Sequence, residues 1–483
     1  MSRYYSYFSG EVFTQKVPVE TGVYDEEPPL MFPVGLNLAK MLTLAQADSA
    51  FGEWQDQPII WGPKQDREVS KSDKDAVRLC EDIMDASNSG SFLWEHELDR
   101  NIYGGGVFKV SPVLNKTPPH IKFARIPRAS FLPIWDPEDP DNLLEVYISY
   151  SITKEQAWSK YRYRSDEDIV NRVEHWTLFD YENLIDGKAM KDYSGKNPWG
   201  IVPFVFTPRY RVEDWYGESL VNDVIPVQDE LNMRIADVGD AINYNAHPVR
   251  WGRNLPRDFS AKNFPLGPNS FWNLGRVIGN SPAPEVGILE ASQAVSPGVY
   301  EYVRFIYDWG RTSASSPPIA FGEDTGGGQR SGATLEIRMW PLIKAIRRSR
   351  SYMSASLKRG MYIAGLILKQ KGFSDVPARA IDALLEKRIN AQFHNVLPRD
   401  QAAAVDEVVK LMSTDPKTVS LETSQVVLGR GTGEVERIMN DAEIFAQMKE
   451  DAARKQMEMQ AELEPKEEDI EVQRRATPKD VER

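Results

Sequence analysis

Hydrophobic positions follow a helical period in the second half of the chain. Between residues 217 and 245 the apolar side chains recur at alternating steps of three and four, which places them on one face of an α-helix. This helix would be about 44 Å long at 1.5 Å per residue, and Pro226 within it predicts a kink or a restart. A second helix is predicted at 297–309, with Val299, Val303, Ile306 and Trp309 on one side.

A third helical segment is much longer and runs over residues 333–371. Shorter helices are predicted after Pro398, near Ser420 and from about Glu434. In the first half of the chain, helices are predicted at 36–47 and over 72–100, with a break at Ser89 and Gly90.

Between residues 107 and 206 the pattern changes to short segments rich in β-branched and aromatic residues, which is typical of strands. The clearest are 107–110, 121–123, 146–150 and 173–179. The Asp- and Pro-rich run 136–142 predicts a turn between strands. We therefore predict an α+β protein with a mixed domain built around a sheet.

Two further stretches differ in composition. Residues 247–296 are dense in Pro and Gly and predict a compact, turn-rich insertion between the helices at 217–245 and 297–309. Residues 450–483 are charged and poor in large apolar groups, so we expect the tail to be frayed or disordered.

The overall charge narrows the functional classes. The 483 residues carry a formal net charge of −13, whereas a protein that grips DNA phosphates tightly is usually basic. This acidic net charge suits an acid-tolerant enzyme, a protein that binds another protein, or a surface past which DNA slides.

The single cysteine, Cys80, excludes an intrachain disulfide framework and a Cys-based zinc site. Residues 1–5 lack the apolar segment of a signal peptide, and the most apolar late segment, 361–368, is too short to span a bilayer. We therefore expect a protein that is neither secreted nor embedded in a membrane.

Each candidate catalytic or metal-binding motif in the sequence has a simpler structural interpretation. Residues 327–334 match the P-loop spacing, but Ala333 stands where the phosphate-binding lysine is required. The five histidines are scattered without metal-ligand spacing, and the acidic turn 136–141 lacks the glycine of a calcium loop. No spacing isolates a pair of glycosidase carboxylates. We therefore predict no enzyme activity, no catalytic residue, no cofactor and no metal site.

The long helix at 333–371 has a one-sided charge. Nine basic residues stand against only Glu336. A solvated face is the usual explanation of a charge run, but an excess of one sign favours a partner, either DNA phosphates or an acidic surface of a neighbouring subunit. The basic residues that we predict as possible contacts are Arg338, Arg347, Arg348 and Arg350.

The ordered motifs resemble those of the portal proteins of long-tailed bacteriophages. Residues 215–220, with the sequence WYGESL, and 224–232, with VIPVQDELN, are similar to the start of the first stem helix in that family. Similar passages follow the family order over much of the chain. They lie at 198–208, 322–335, 397–400 and 419–423.

The resemblance implies a fold with an α/β wing, a two-helix stem, a small β-containing clip and a helical crown. Carried onto this sequence, the regions are the wing at 1–215 and 310–390, the stem helices at 216–246 and 297–309, the clip at 247–296, the crown at 391–450 and a flexible tail at 451–483. Within the second part of the wing the family implies a tunnel loop at 322–332 and a long helix at 333–371.

The resemblance also implies a function. Portal subunits form a ring, usually of twelve copies, at one capsid vertex, through which double-stranded DNA is packaged and ejected. The implied partners are other copies of the chain, double-stranded DNA, terminase, a head–tail adaptor, and the major capsid and scaffolding proteins, with no membrane. The implied location is the virion, and the host cytoplasm during assembly.

Two residue sets follow from this assignment. The residues expected to face DNA in the tunnel loop are Gly322, Asp324, Thr325, Gly326, Gly327, Gly328, Gln329 and Arg330. The residues expected to pack the stem, and to seal it against neighbouring copies, are Leu231, Ile235, Val238, Ile242, Val303 and Ile306.

Two other functions remain as alternatives to a DNA conduit. A P-loop-like NTPase or another DNA-processing enzyme would hydrolyse ATP, although the lysine is missing at Ala333. A sequence-reading DNA-binding protein would give tight, sequence-dependent binding, which the acidic balance disfavours. A conduit instead predicts a large hollow homo-oligomer.

Overall fold

The computed structural model describes most of the first four hundred residues. The described ranges are 2–14, 35–52, 59–63, 70–114, 119–212, 215–246, 250–255, 282–288, 297–323, 332–373 and 375–393, together with residues 447 and 449. The chain divides into two compact units, Met1–Val396 and Leu397–Arg483. The predicted helices after Pro398 and most of the turn-rich insertion lie outside the described residues. The description below concerns the first unit.

The helices of this unit match most of the periodicity predictions. They are α1 Ser2–Ser9, α2 Leu38–Phe51, α3 Lys71–Ala86, α4 Ser89–Tyr103, α5 Lys154–Tyr161, α6 Leu220–Ala246, α7 Pro297–Ser313, α8 Gly332–Lys371 and α9 Ala378–Leu385. The predicted break in the 72–100 segment is confirmed, although it lies two residues earlier than predicted, at Ser87 and Asn88. Asn88 has a left-handed backbone conformation. No helix in the described part of the chain is both long and apolar enough to cross a bilayer.

Local sequence explains where several of these helices begin. Ser70 accepts a hydrogen bond from the backbone N–H of Asp73, and the Asp73 carboxylate accepts one from the Ser70 backbone, which completes a capping box. Such a cap typically stabilises a helix start by about 1 kcal/mol. Thr153 and Gln156 form the same arrangement at α5.

The described strands are all paired antiparallel. They are β1 Ile59–Pro63, β2 Gly105–Val113, β3 His120–Ile126, β4 Phe131–Trp135, β5 Leu143–Thr153, β6 Ile169–Thr177, β7 Asp180–Ile185, β8 Lys188–Ala189, β9 Gly195–Lys196, β10 Phe204–Pro208, β11 Arg250–Arg253, β12 Glu285–Ile288 and β13 Ile389–Phe393. They form a six-stranded sheet in the order β4-β5-β6-β7-β8 with β9 on β7, a three-stranded sheet β10-β2-β3, and the pairs β1-β13 and β11-β12. The four strands predicted from sequence are confirmed, and the α+β class with them.

The largest core lies where helices cover the three-stranded sheet. Side chains of α3, α4, α8 and α9 pack with Phe108 of β2 and Phe123 of β3, whose rings are 5.1 Å apart. Gly360 of α8 allows this approach, because a Cβ atom there would lie 2.9 Å from the Phe108 ring. The long helix is thus partly a core element.

The acidic run between β4 and β5 is a hydrogen-bonded turn, as predicted. One carboxylate oxygen of Asp136 accepts from the Glu138 backbone N–H and the other from the Asn142 amide, each at 3.0 Å. These two bonds fix the Asp136 carboxylate within the turn. Among the described residues no cluster of three His, Cys, Asp or Glu side chains could hold a metal ion.

Strand β13 bears on the predicted boundary between wing and crown. We expected the crown to begin at residue 391, but Ala391 pairs with Trp61 of β1 inside the first unit. That unit continues to Val396. Residues 391–393 therefore belong to the same sheet pair as residues 59–61.

Candidate functional site: a helical hairpin, a loop and a basic helix

Helices α6 and α7 pack side by side, as the sequence predicted. Leu231 is fully buried and Ile306 is 6% exposed, and both belong to one apolar cluster. Ile235 and Val303 pack against that cluster. Of the remaining predicted packing residues, Val238 is half-buried and Ile242 is 50% exposed within the single chain.

Buried polar contacts attach this hairpin to the rest of the unit. The Gln228 side chain accepts a hydrogen bond from the backbone N–H of Ala39 at 3.1 Å and donates one to the Leu36 carbonyl at 2.5 Å. Tyr7 of α1 donates to the Asp229 carboxylate at 2.7 Å. Helix α6 of the hairpin is therefore held in a defined position against α1 and the start of α2.

Helix α6 runs through Pro226 without interruption. A proline in a helix interior removes one hydrogen bond and crowds the preceding turn. The buried residues Val224 and Ile225 on one side of it and Leu231 on the other belong to the same cluster. Packing thus outweighs the local preference, and of the two predicted alternatives, a kink or a restart at Pro226, the restart does not occur.

Helix α7 also carries large apolar side chains outside its packed face. Tyr302, Phe305 and Trp309 are 45%, 55% and 58% exposed, and the last two rings lie 5.5 Å apart. Their spacing of three and four residues aligns them along one side. We call these three residues the aromatic stripe. Trp309 was predicted on the same side of α7 as Val303 and Ile306, but its side chain is 58% exposed in the single chain, whereas Ile306 is 6% exposed.

A buried arginine fixes the end of α7. The side chain of Arg311 is 4% exposed, pairs with Asp308, and contacts Glu323 at 2.7 Å. Its guanidinium also lies 4.5 Å from the centre of the Tyr307 ring. Burial acts to lower the pKa of Arg311, but the hydrogen bonds to Glu323 and Asp308 outweigh it, so the pKa is raised.

This ion pair holds the chain at the start of the predicted tunnel loop. Gly322 has a φ of +76°, a conformation that glycine adopts without strain. The other predicted loop residues lie outside the described residues: Asp324, Thr325, Gly326, Gly327, Gly328, Gln329 and Arg330. The described chain resumes at Gly332, the first residue of α8.

The predicted basic contacts on α8 divide into exposed and buried residues. Arg338 is exposed, Arg347 is exposed beside the Trp340 ring at 5.5 Å, and Arg348 is exposed over the Tyr210 ring at 4.9 Å. Arg350 is a correction, because it is 6% exposed and donates two hydrogen bonds to the Ala50 carbonyl at 2.7 and 3.1 Å. It joins α8 to α2 and does not offer its charge to an external partner.

The chain between α6 and α7 contains at least one short strand pair. Arg250 pairs with Ile288, and Arg253 with Glu285, so β11 and β12 bring the two ends of the predicted insertion together. Short strands at this position agree with the β-containing insertion expected from sequence.

Sequence reasoning missed Gln228, Arg311 and two members of the aromatic stripe. The partners of Gln228 lie about 190 residues earlier in the chain, so no local pattern identifies it. Tyr302 and Phe305 could have been found, because a second line of apolar residues at helical spacing is visible beside the first.

Comparison with known protein families supports an assignment for this arrangement. The family model described as "Phage portal protein, SPP1 Gp6-like" matches residues 65–458, which is more than three quarters of the chain. No curated protein matches the sequence significantly. The matched span includes the hairpin, the loop and the basic helix, and the chain belongs to the phage portal protein family.

Proposed function

We propose that this chain is the subunit of a portal ring that conducts double-stranded DNA into and out of the phage head. The role is structural and requires no catalysis. In this proposal twelve copies close head to tail around a channel, since a heterologous contact whose rotation closes generates a ring.

The observation that carries the proposal is the hairpin of α6 and α7. One side of α7 packs inside the chain through Val303 and Ile306, while the aromatic stripe of Tyr302, Phe305 and Trp309 is exposed. Exposed aromatic rings are typical of protein interfaces. A neighbouring copy that covers the stripe, and Ile242 near the end of α6, would give every subunit the same contact on each side.

The loop and the charge suit a channel that moves DNA without holding it. The glycine-rich residues 322–332 start from a point fixed by Arg311 and Glu323, and such a loop could follow a moving duplex. A ring multiplies the charge of −13 per chain. A mostly acidic bore would repel phosphates at short range and let DNA slide.

In this proposal the family regions are assigned to the described elements in chain order. The stem would comprise α6 and α7, and the clip would be the insertion that β11 and β12 close. The wing would contain α1–α5, α8 and the two larger sheets. The crown would follow the first compact unit. The clip would meet terminase or the head–tail adaptor, and the wing and crown would contact capsid and scaffolding proteins at the vertex.

A double substitution in the aromatic stripe tests the ring-forming role. Phe305→Ser with Trp309→Ser should leave the fold intact, because both side chains are already more than half exposed, but should prevent assembly. Light scattering and negative-stain images would measure particle mass and shape. The matched control is Phe179→Ser, which removes a 77% exposed ring in the turn between β6 and β7.

Two results would contradict the proposal at different levels. Rings formed equally well by the double variant would exclude the stripe as the subunit contact. Wild-type protein that stays monomeric under all conditions would count against a ring altogether.

A further inference from the structure

A cleft on the wing, away from the hairpin, has four positively charged side chains among its lining residues. It has a volume of about 390 Å³ and lies between β10, the adjoining turns and the middle of α8. Cavities of this size fall within the range of ordinary ligand sites. Its lining includes Arg211, Lys358, Arg359 and Lys387 against a single carboxylate, Asp141, so four cations face one anion in a protein that is acidic overall.

The charge excess is carried by Arg359 and Lys387, because Lys358 is engaged in the fold and donates to the side-chain oxygen of Asn390 at 2.7 Å. Arg211 pairs with Asp141 at 3.0 Å, which accounts for the one carboxylate. Arg359 donates to the neutral amide oxygen of Asn142 at 3.3 Å, and the ammonium of Lys387 lies 4.9 Å from the centre of the Tyr362 ring. Within the described residues neither Arg359 nor Lys387 forms an ion pair with a carboxylate.

Lys387 occupies a backbone position that normally favours glycine. Its φ is +53°, and it follows α9 in a Schellman motif: its N–H donates to the Leu384 carbonyl at 3.0 Å, and that of Arg388 donates to the Ala383 carbonyl at 3.1 Å. Glycine is the usual residue at this point, because a side chain is strained there. Lys387 therefore holds a strained backbone conformation, and its side chain lines the cleft.

We infer that this cleft binds a phosphate group. A guanidinium offers a planar pair of donors that matches phosphate oxygens, and the lysines add compact positive charge. The cleft volume of about 390 Å³ is more than one phosphate ion needs and leaves space for adjoining sugar or phosphate. The group can come from the DNA backbone or from free phosphate, and the same cations would recognise both.

The site is built within one chain, so it goes beyond the proposed conduit and does not depend on ring closure. Its test uses two variants of the full-length protein and one control. Lys387→Gly removes a cleft charge and relieves backbone strain, so this variant should fold at least as well as wild type. Arg359→Gln removes a second cleft charge. Lys369→Gln removes the same charge from an exposed position further along α8, where it lies 3.8 Å from Asp382.

Isothermal titration calorimetry with sodium phosphate, at ionic strength fixed with sodium chloride, would measure binding directly. We expect wild type and Lys369→Gln to bind phosphate equally, and Lys387→Gly and Arg359→Gln to bind about tenfold more weakly each, as expected for loss of one charge-assisted contact. Absence of phosphate binding to wild type, or equal binding by all four proteins, would overturn the inference.

A second titration identifies the source of the phosphate. Binding of a fluorescent 20-base-pair duplex would be measured by anisotropy. If the DNA backbone is the ligand, the variants should rank in duplex affinity as they do in phosphate affinity. If they differ only in phosphate affinity, free phosphate is the ligand. A polyglutamate peptide that bound with this order, while neither phosphate probe bound, would mean that the cleft receives an acidic protein segment and would refute the phosphate site.

Discussion

A buried ion pair joins three elements of the first compact unit, and its removal should destabilise the whole unit. Arg100 of α4 is fully buried and pairs with Glu97, whose side chain is 3% exposed. Arg100 also donates to the Pro208 carbonyl of β10 at 3.0 Å and to the Ser349 hydroxyl of α8 at 2.8 Å. The Ser349 hydroxyl in turn donates to Glu97 at 2.6 Å. Burial lowers the pKa of the Arg100 guanidinium, and the Glu97 carboxylate opposes this change.

Glu97→Ala leaves the Arg100 charge in the interior without its carboxylate. Breaking a buried pair by removing one partner costs about 3–5 kcal/mol, because the remaining charge stays desolvated. For a unit of this size we expect about 2 °C of melting temperature per kcal/mol, which gives a fall of roughly 6–10 °C. Replacing both charges, as Glu97→Leu with Arg100→Met, should recover most of this loss, since a buried pair contributes little beyond its apolar replacement.

Thermal unfolding followed by tryptophan fluorescence would measure these shifts. The matched control is Glu95→Ala on the same helix, because the Glu95 side chain is 45% exposed and lies 3.3 Å from Arg125. An exposed pair of this kind contributes about 0–1 kcal/mol. If Glu97→Ala and Glu95→Ala lowered the melting temperature equally, the assignment of a buried, mutually dependent network would be wrong.

Two further predictions concern acid stability and the loop. His96 is fully buried between aromatic rings, and burial lowers its pKa well below 6.5. In the unfolded chain this histidine takes up a proton near pH 6.5. Its contribution to the stability of the fold should therefore be fully present above that pH and be lost as the pH falls below it. His96→Phe should lose this part of the pH dependence in melting curves between pH 7.5 and about 5. Deleting residues 326–330 should leave rings intact in negative-stain images but impair DNA packaging with terminase, and a loss of assembly instead would assign the loop a structural role.

The periodicity of the sequence predicted the long elements well. Helices α6, α7 and α8 and strands β2, β3, β5 and β6 lie where apolar spacing placed them, because each buries a continuous face in a packed core. The hairpin was predictable for the same reason, since two amphipathic segments flank a turn-rich insertion.

Elements that depend on distant partners were not predictable in this way. Helix α1 is eight residues long, too short to be stable alone, and Tyr7 attaches it to Asp229 across 222 residues of sequence. Strand β1 pairs with β13 more than three hundred residues later. The Arg350 error has the same origin, because its acceptor, Ala50, is separated from it by 300 residues.

The two faces of α7 explain why the sequence indicated the hairpin but not its outer surface. A helix that packs against one partner needs a single apolar face, and Val303 and Ile306 form this face in α7. Phe305 and Trp309 lie beside that face and are more than half exposed, which forgoes roughly 1 kcal/mol or more of burial for each ring. Apolar spacing in the sequence assigns the packed residues and the exposed aromatic residues to one hydrophobic side of the helix, whereas the structure separates them. Since every copy carries the same uncovered rings beside the same packed hairpin, one repeated contact between copies would recover that burial throughout a closed ring.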